Sequence, residues 1–92
     1  MQPQALPEVD ALTTRQRAER QAGAVCVSLM KVLGKPRDLY RVSAVQLWTN
    51  HYRVNVQTGA DAVSVRIAHS FFIEADESGN IIESVPVLER QY

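Results

Sequence analysis

The chain has 92 residues, of which 46% are hydrophobic, and it carries ten basic and ten acidic side chains. A chain of this length has room for a single core, and the balanced charge argues against a protein dedicated to nucleic acid or to a membrane surface. The single cysteine excludes an internal disulfide and a metal site built from several cysteines.

Residues 1–12 contain two prolines and two glutamines and show no apolar period. They lack the apolar stretch, flanked by basic residues, of a signal peptide, and they are too polar to span a membrane. We therefore expect a flexible N-terminal arm and a cytoplasmic protein.

A helix is predicted over residues 14–33. Thr13 and Gln16 have the spacing of a capping box, while Gly34 as a left-handed residue and Pro36 as a helix breaker end the pattern. Apolar side chains recur at steps of three and four residues, which places them on one stripe: Ala18, Ala22, Val25, Cys26, Leu29 and Leu33. This stripe is expected to cover a sheet.

Four strands are predicted over residues 39–48, 51–58, 63–75 and 80–85. Gly59 and Ala60 favour a two-residue turn between the second and third strands, and a four-residue loop over 59–62 is the alternative. The last hairpin suits a type I turn that begins at Asp76, with Gly79 in the left-handed conformation followed by a bulge.

The predicted fold is α+β: one N-terminal helix packed on a three- to four-stranded antiparallel meander, a two-layer sandwich in α-β-β-β-β order. The single domain covers residues 13–86, and residues 87–92 form a C-terminal tail after Pro86 ends the edge strand. This element order is similar to that of cystatin-like and PepSY-like domains. The resemblance is one of architecture and implies no function.

Strict alternation assigns two faces to the sheet. The core face is expected to hold Tyr52, Val54, Val56, Val63, Val65, Ile67, Phe71 and Ile73. The other face, here called the outer face, is polar near the second turn and apolar near the last hairpin, where Phe72 is expected opposite Ser84 and Glu74 opposite Ile82. The first strand is apolar in both alternating sets, so one apolar set is left on the outer face in either orientation.

One helix covers one face of a sheet, which leaves an apolar patch of the kind that marks interaction sites. The candidate interface residues are Val42, Ala44, Trp48, Ala68, Phe72 and Ile82. The leading hypothesis is a non-enzymatic module that self-associates through the outer face, with a dimer favoured. The competing interpretation is that one of the chain's own ends covers this face.

The alternative function is a site for a small anion in the polar half of the outer face. Such a site could also belong to an enzyme. Arg53 and Arg66 are predicted directly opposite each other with the two-residue turn and diagonal with the four-residue loop. Together with His51, Asn55 and Ser64 they are candidates to bind a carboxylate or a phosphate. The competing interpretation is that each arginine extends over apolar neighbours or pairs with a partner's glutamate.

The other reactive side chains are interpreted as structural. Cys26 lies on the core stripe, and His69 falls on the apolar face between two core residues. His51 and His69 lie on opposite faces without a third ligand, so neither a metal nor another cofactor is predicted. The basic start of the helix is more typical of a solvated face than of a nucleic-acid site, and it comprises Arg15, Arg17 and Arg20.

Overall fold

The structure is a computed structural model, and it describes residues 13–92. One helix, α1 (Thr14–Leu33), is followed by four strands, β1 (Leu39–Trp48), β2 (His51–Thr58), β3 (Arg66–Ala75) and β4 (Ile81–Val85). The strands form one antiparallel sheet in the order β1-β2-β3-β4, so the predicted α+β meander is confirmed. The predicted arm, residues 1–12, lies outside the described residues. Within residues 13–92, no helix has the length and apolar character needed to cross a membrane.

Helix α1 begins and ends where the sequence predicts. The Thr13 side chain accepts a hydrogen bond from the Gln16 N–H at 3.0 Å, and the Gln16 side chain accepts one from the Thr13 N–H at 2.9 Å. This reciprocal pair is the predicted capping box. Gly34 follows the helix with φ 89° and ψ 163°, an extended conformation at positive φ rather than the predicted left-handed helical one.

The core lies between α1 and one face of the sheet. Its buried apolar residues are Val25, Leu29, Leu33, Tyr52, Val54, Val56, Phe71, Ile73 and Ala75. Val42 and Ala44 of β1 are partly buried against this core, because they pair with Val56 and Val54 and directly paired residues share a face. The structure therefore corrects the predicted placement of Val42 and Ala44 on the outer face.

The connection between β2 and β3 is longer than predicted, since a loop over 59–65 replaces the two- or four-residue turn. Asp61 begins a turn inside this loop, where its Oδ1 accepts the N–H groups of Val63 at 3.0 Å and Ser64 at 3.1 Å. Val63 and Val65, predicted as core residues, consequently lie in the loop, and Val63 is exposed.

Strand β3 contains a bulge at Ala68. Val56 pairs with His69 and Gln57 pairs with Ile67, so Ala68 is an extra residue between two ladder pairs. Because the extra residue inverts the alternation before it, Ile67 shares the outer face with Gln57 and is exposed instead of joining the core as predicted. After the bulge, the predicted alternation holds.

The turn between β3 and β4 has the predicted hydrogen bonds. The Gly79 N–H donates to the Asp76 carbonyl and the Asp76 N–H donates to the Asn80 carbonyl, both at 2.9 Å, with Gly79 at φ 87°. The backbone N–H and the side-chain amide of Asn80 also donate to the Asp76 carboxylate, which lowers the pKa of Asp76.

A polar network that no sequence pattern indicates ties α1 to the turns at one end of the sheet. The Tyr52 hydroxyl donates to Oε1 of Gln21 and lies 3.2 Å from the Ala18 carbonyl. Nε2 of Gln21 donates to Oδ1 of Asn50 at 2.8 Å and to the Asp76 carbonyl at 2.7 Å. Burial raises the pKa of Tyr52. Gln21 thus holds the helix in place over the sheet.

We expect Gln21→Ala to lower the free energy of unfolding by about 2 kcal/mol, because it removes two donated hydrogen bonds and the acceptor of a buried hydroxyl. Gln57→Ala is the matched control, since Gln57 lies on the outer face and forms no side-chain hydrogen bond within residues 13–92. Its effect should stay within about 0.5 kcal/mol. Urea unfolding followed by circular dichroism measures both, and equal losses would contradict a stabilising role for the network.

The C-terminal residues 87–92, predicted as a tail, pack on the helix side of the sheet. Leu88 lies against the core, and its N–H donates to Oγ of Ser84 at 2.8 Å. The N–H of Gln91 donates to the Leu33 carbonyl at 2.9 Å, next to the end of α1. The described tail therefore lies away from the outer face and does not cover it.

Tyr92 joins the tail to both layers. Its N–H donates to the Leu33 carbonyl at 3.0 Å, and its hydroxyl shares a 2.7 Å hydrogen bond with Nε2 of His69. His69 lies on the helix side because it pairs with Val56. This position and this partner agree with the structural role predicted for His69.

Candidate functional site

The outer face of the sheet presents its side chains in rows that cross the strands, because directly paired residues share a face. The row here called the apolar row takes one residue from each strand in order: Val45, Arg53, Phe72 and Val85. The neighbouring row, here called the aromatic–acidic row, is Trp48, His51, Glu74 and Glu83. These two rows lie at the end of the sheet that carries the β1–β2 turn.

A bulge in β4 places Val85 in the apolar row. The turn pairs Ala75 with Ile81 as predicted, but Glu74 then pairs with Glu83, so Ile82 becomes an extra residue on β4. The register is thereby shifted by one residue from the predicted pairing. In consequence Val85, which the alternation pattern does not single out, lies opposite Phe72.

Three aromatic rings from β1, β2 and β3 pack together on this face. The ring centroids of Trp48 and His51 lie 4.9 Å apart at an interplanar angle of 27°, which is a stacked arrangement. Phe72 lies 5.7 Å from Trp48 and 5.8 Å from His51. Such distances are typical of attractive ring contacts. The cluster is therefore preformed within one chain.

The hydrogen bond between His51 and the Thr49 carbonyl determines the tautomer of His51. Nδ1 lies 2.7 Å from the Thr49 carbonyl oxygen, and since a carbonyl can only accept, Nδ1 carries the proton. In neutral His51 this leaves Nε2 as an acceptor. The ring is thus fixed by the β1–β2 turn, which also fixes the ring stacked on it.

Large apolar side chains around the cluster are open to solvent. Trp48 is 56% exposed, Val45 58% and Ile82 62%, and Val85 is exposed to a similar degree. Phe72 is half-buried beneath its ring neighbours. Scattered apolar residues are normal on a surface, but these lie in or beside two adjacent rows of one face. Arg53, His51 and Glu74 lie between them.

The charged side chains of the two rows form no ion pair within residues 13–92. Arg53 lies between Val45 and Phe72. In the adjacent row, Glu74 lies on the next strand and Glu83 one strand further. None of the three forms an ion pair with another residue in 13–92. One cation and two carboxylates are therefore available next to the exposed apolar side chains.

The remaining candidate interface residues lie at the bulges of β3 and β4. Ala68 is half-buried in the β3 bulge, three residue pairs away from the aromatic cluster, while Ile82 is exposed in the β4 bulge. Val45 belongs to the other alternating set of β1, outside the predicted interface. Because both sets are apolar, the sequence supports either set equally.

The predicted anion site is not assembled by this register. Arg53 pairs with Phe72, whereas Arg66 pairs with Thr58, which is buried on the helix side. The two arginines therefore belong to opposite faces and lie about 17 Å apart along the strands. Arg53 and Arg66 are neither opposite nor diagonal.

The polar residues expected with the arginines are also separated. Asn55 lies on the outer face, where it accepts a 2.7 Å hydrogen bond from Oγ of Ser70. Ser64 lies in the β2–β3 loop and bonds to Asp61. His51 belongs to the aromatic cluster. Within residues 13–92, no three His, Cys, Asp or Glu side chains come together as a metal site.

Comparison of the chain with protein-family models, with curated proteins and with solved structures finds no similar protein. The inference of function therefore depends on the chemistry of the outer face alone.

Proposed function

We propose that this protein is a non-enzymatic interaction module that associates with a second copy of itself through the outer face of the sheet. The observation that carries the proposal is the set of exposed apolar side chains on one end of this face, Trp48, Val45, Val85 and Ile82, around a preformed aromatic cluster. Burial of one large apolar side chain contributes about 1.5–3 kcal/mol, so several of them supply a substantial driving force.

The charges favour a second copy as the occupant. A two-fold interface brings a patch against itself, so a patch that carries both signs of charge can be complementary to its own copy. Arg53 lies in one row and Glu74 and Glu83 lie in the next. A two-fold axis that lies between the two rows and runs parallel to them places Arg53 of one copy near the carboxylates of the other. Pairing across the interface would satisfy charges that are unpaired in one chain.

The size of the face sets the expected affinity. Four strands spaced about 4.8 Å apart and five to ten residues long present a face of roughly 500–600 Å². Specific interfaces bury about 800 Å² per partner, so this face lies at the lower end of the range. We therefore expect a dimer that forms at micromolar concentrations and dissociates on dilution.

Val45→Glu tests this interface because Val45 is 58% exposed and its replacement does not disturb the core. Sedimentation velocity across the micromolar range should show dimers for the original chain. For Val45→Glu the dissociation constant should rise at least about tenfold, since a charge has to be buried in an apolar contact.

Val27→Glu is the matched control, because Val27 is 55% exposed and lies on α1, on the other layer of the domain. It should leave the dissociation constant unchanged. A monomer at every concentration would overturn the proposal. Dissociation caused by Val27→Glu and not by Val45→Glu would assign association to the helix instead of the sheet.

A further inference from the structure

Strand β1 is an edge strand that has no neighbour on the side away from β2. The sheet order is β1-β2-β3-β4, so among residues 13–92 only β2 pairs with β1. Natural edge strands commonly carry proline, lysine or other charged side chains that prevent pairing with another chain. The ten residues of β1 include no proline, lysine or acidic residue, and Arg41 is their only charge. The edge of β1 is therefore unprotected against pairing with a further strand.

The opposite edge of the sheet is protected. Strand β4 has five residues, half the length of β1, and it is bulged at Ile82. Pro86 follows β4 directly, and the tail bonds back to the strand where the Leu88 N–H donates to Oγ of Ser84. A short strand, a bulge and a proline each oppose edge-to-edge pairing. The two edges thus differ, and β1 is the edge that can accept a partner.

Two hydrogen bonds determine which backbone groups of β1 face the open edge. The Ala75 N–H donates to the Asn50 carbonyl at 2.8 Å, so the Asn50 carbonyl points towards β3. Successive residues of a strand point their backbone groups to opposite sides, so the odd-numbered residues of β2 point towards β1. The Gly59 N–H donates to the Asp38 carbonyl at 2.9 Å, which agrees with this assignment.

Three residues of β1 turn their N–H and C=O groups to the open edge. Residues 53, 55 and 57 of β2 pair with Val45, Ser43 and Arg41, which therefore bond to β2. The register shifts lie just beyond this stretch at both ends, so residues 41–46 alternate regularly. The residues that point away from β2 are Val42, Ala44 and Gln46.

We propose that β1 pairs antiparallel with β1 of a second copy, around a two-fold axis between the two Ala44 residues. Directly paired residues share a face, so each edge-facing residue has to pair with another of the three. In this register Ala44 meets Ala44 and Val42 meets Gln46, which forms about six main-chain hydrogen bonds between the copies. The two Arg41 side chains lie at opposite ends of the paired stretch, so no like charges are opposed.

The outer face favours a second copy as the occupant of this edge. The proposed register places Val45 of one copy beside Ser43 of the other, so the two Val45 side chains become diagonal neighbours about 7–8 Å apart. The apolar rows of the two copies then meet where the strands pair. The joined outer face measures about 1,000–1,200 Å², which exceeds the roughly 800 Å² that a specific interface buries per partner. This argument rests on the proposed function, whereas the strand pairing itself does not.

Amide hydrogen exchange followed by nuclear magnetic resonance tests the pairing residue by residue. We expect the amides of Val42, Ala44 and Gln46 to exchange at least about tenfold more slowly at millimolar than at low micromolar chain concentration. The amides of Ser43 and Val45 bond to β2 and should be protected at both concentrations. Fast exchange of the first three at both concentrations would overturn the proposal. Equal protection at both would overturn it too, because a segment of the same chain would then cover the edge.

Ala44→Pro tests the edge by mutation. Proline removes an N–H that faces the open edge and is tolerated in edge strands, so the variant should keep its circular dichroism spectrum. Sedimentation is measured in chains that also carry Val85→Glu, which weakens the outer-face contact and lies on β4, at the opposite edge of the sheet. In these chains Ala44→Pro should raise the dissociation constant of the remaining dimer at least about tenfold.

Ala62→Pro is the matched control. Ala62 is exposed and is the second residue of the turn that the Ser64 N–H closes by donating to the Asp61 carbonyl at 3.1 Å. Proline is favoured at this turn position, so the dissociation constant should stay unchanged. An equal effect of the two prolines would contradict the edge contact. Association that persists in Ala44→Pro and is abolished by Val85→Glu would overturn the edge contact and leave the proposed function intact.

Discussion

Gly79→Ala is expected to lower the free energy of unfolding by about 3 kcal/mol. Gly79 has φ 87°, where a side chain costs about 1–2 kcal/mol of backbone strain. A Cβ at this position would lie 2.3 Å from the Cβ of Ala24 and 3.0 Å from the Ala24 carbonyl carbon. Because these neighbours belong to α1, relief of the clash requires the hairpin and the helix to move apart.

The matched control is Gly23→Ala, which makes the same glycine-to-alanine change but is expected to change the free energy of unfolding in the opposite direction. Gly23 lies inside α1 with nothing within 4 Å of an added Cβ. We expect Gly23→Ala to raise the free energy of unfolding by about 1 kcal/mol, because alanine is the better helix former. Urea unfolding measures both variants, and their midpoints should move in opposite directions at an unchanged denaturant slope. A shift of the same sign for both would contradict the close approach of the β3–β4 turn to α1.

Leu29→Ala is expected to cost about 3 kcal/mol, within the range of 2–5 kcal/mol for buried leucines. Leu29 is fully buried at the centre of the α1 stripe and packs among the core residues of the sheet. Its truncation therefore leaves a cavity in the core. A domain of this size has a total stability of about 5–10 kcal/mol, so this one change removes a large part of it.

Leu47→Ala is the control for Leu29→Ala. Leu47 is exposed near the end of β1 and belongs to the alternating set that the sequence leaves unassigned. Its truncation should cost less than about 1 kcal/mol at low protein concentration, where association contributes least. Thermal or urea unfolding compares the two variants. An equal loss for both would mean that the orientation of β1 described here is wrong.

The helix and the last turn are the parts of this fold that local sequence determines. The capping box at Thr13 and Gln16 fixes the start of α1, and Gly34 with Pro36 prevents its continuation. Asp76 and Gly79 determine the β3–β4 turn through contacts within five residues. Such features are predictable because their causes are adjacent in the chain.

The register of the sheet depends on bulges, which leave little trace in the sequence. Ala68 in β3 and Ile82 in β4 fit an uninterrupted alternation as well as they fit a bulge. For this reason Ile67 is predicted in the core and is found outside it, and Arg53 and Arg66 are predicted together and are found on opposite faces. Asp61 is a local signal for the longer β2–β3 loop, since an aspartate can begin a turn by accepting the N–H groups of the residues two and three positions on.

The candidate site is only partly predictable for the same reason. Phe72 follows from alternation and is found on the outer face. Trp48 belongs to the same alternating set as Val42 and Ala44 and reaches the outer face because the register shifts between Gln46 and Trp48. Val42 and Ala44 are found in the core layer, where they pair with Val56 and Val54. The sequence does not indicate this, because both alternating sets of β1 are apolar. The packing of the tail, with its contacts to Leu33, depends on long-range hydrogen bonds that no local pattern encodes.

Intermolecular nuclear Overhauser effects give the most direct test of the proposed association. In a sample that mixes isotope-labelled and unlabelled chains, contacts between copies are detected separately from contacts within one chain. Association through the sheet predicts cross-peaks from the methyl groups of Val45 to the Trp48 ring of the other copy. Cross-peaks confined to Val27 and Val32 of α1, or none in a sample well above micromolar concentration, would contradict it.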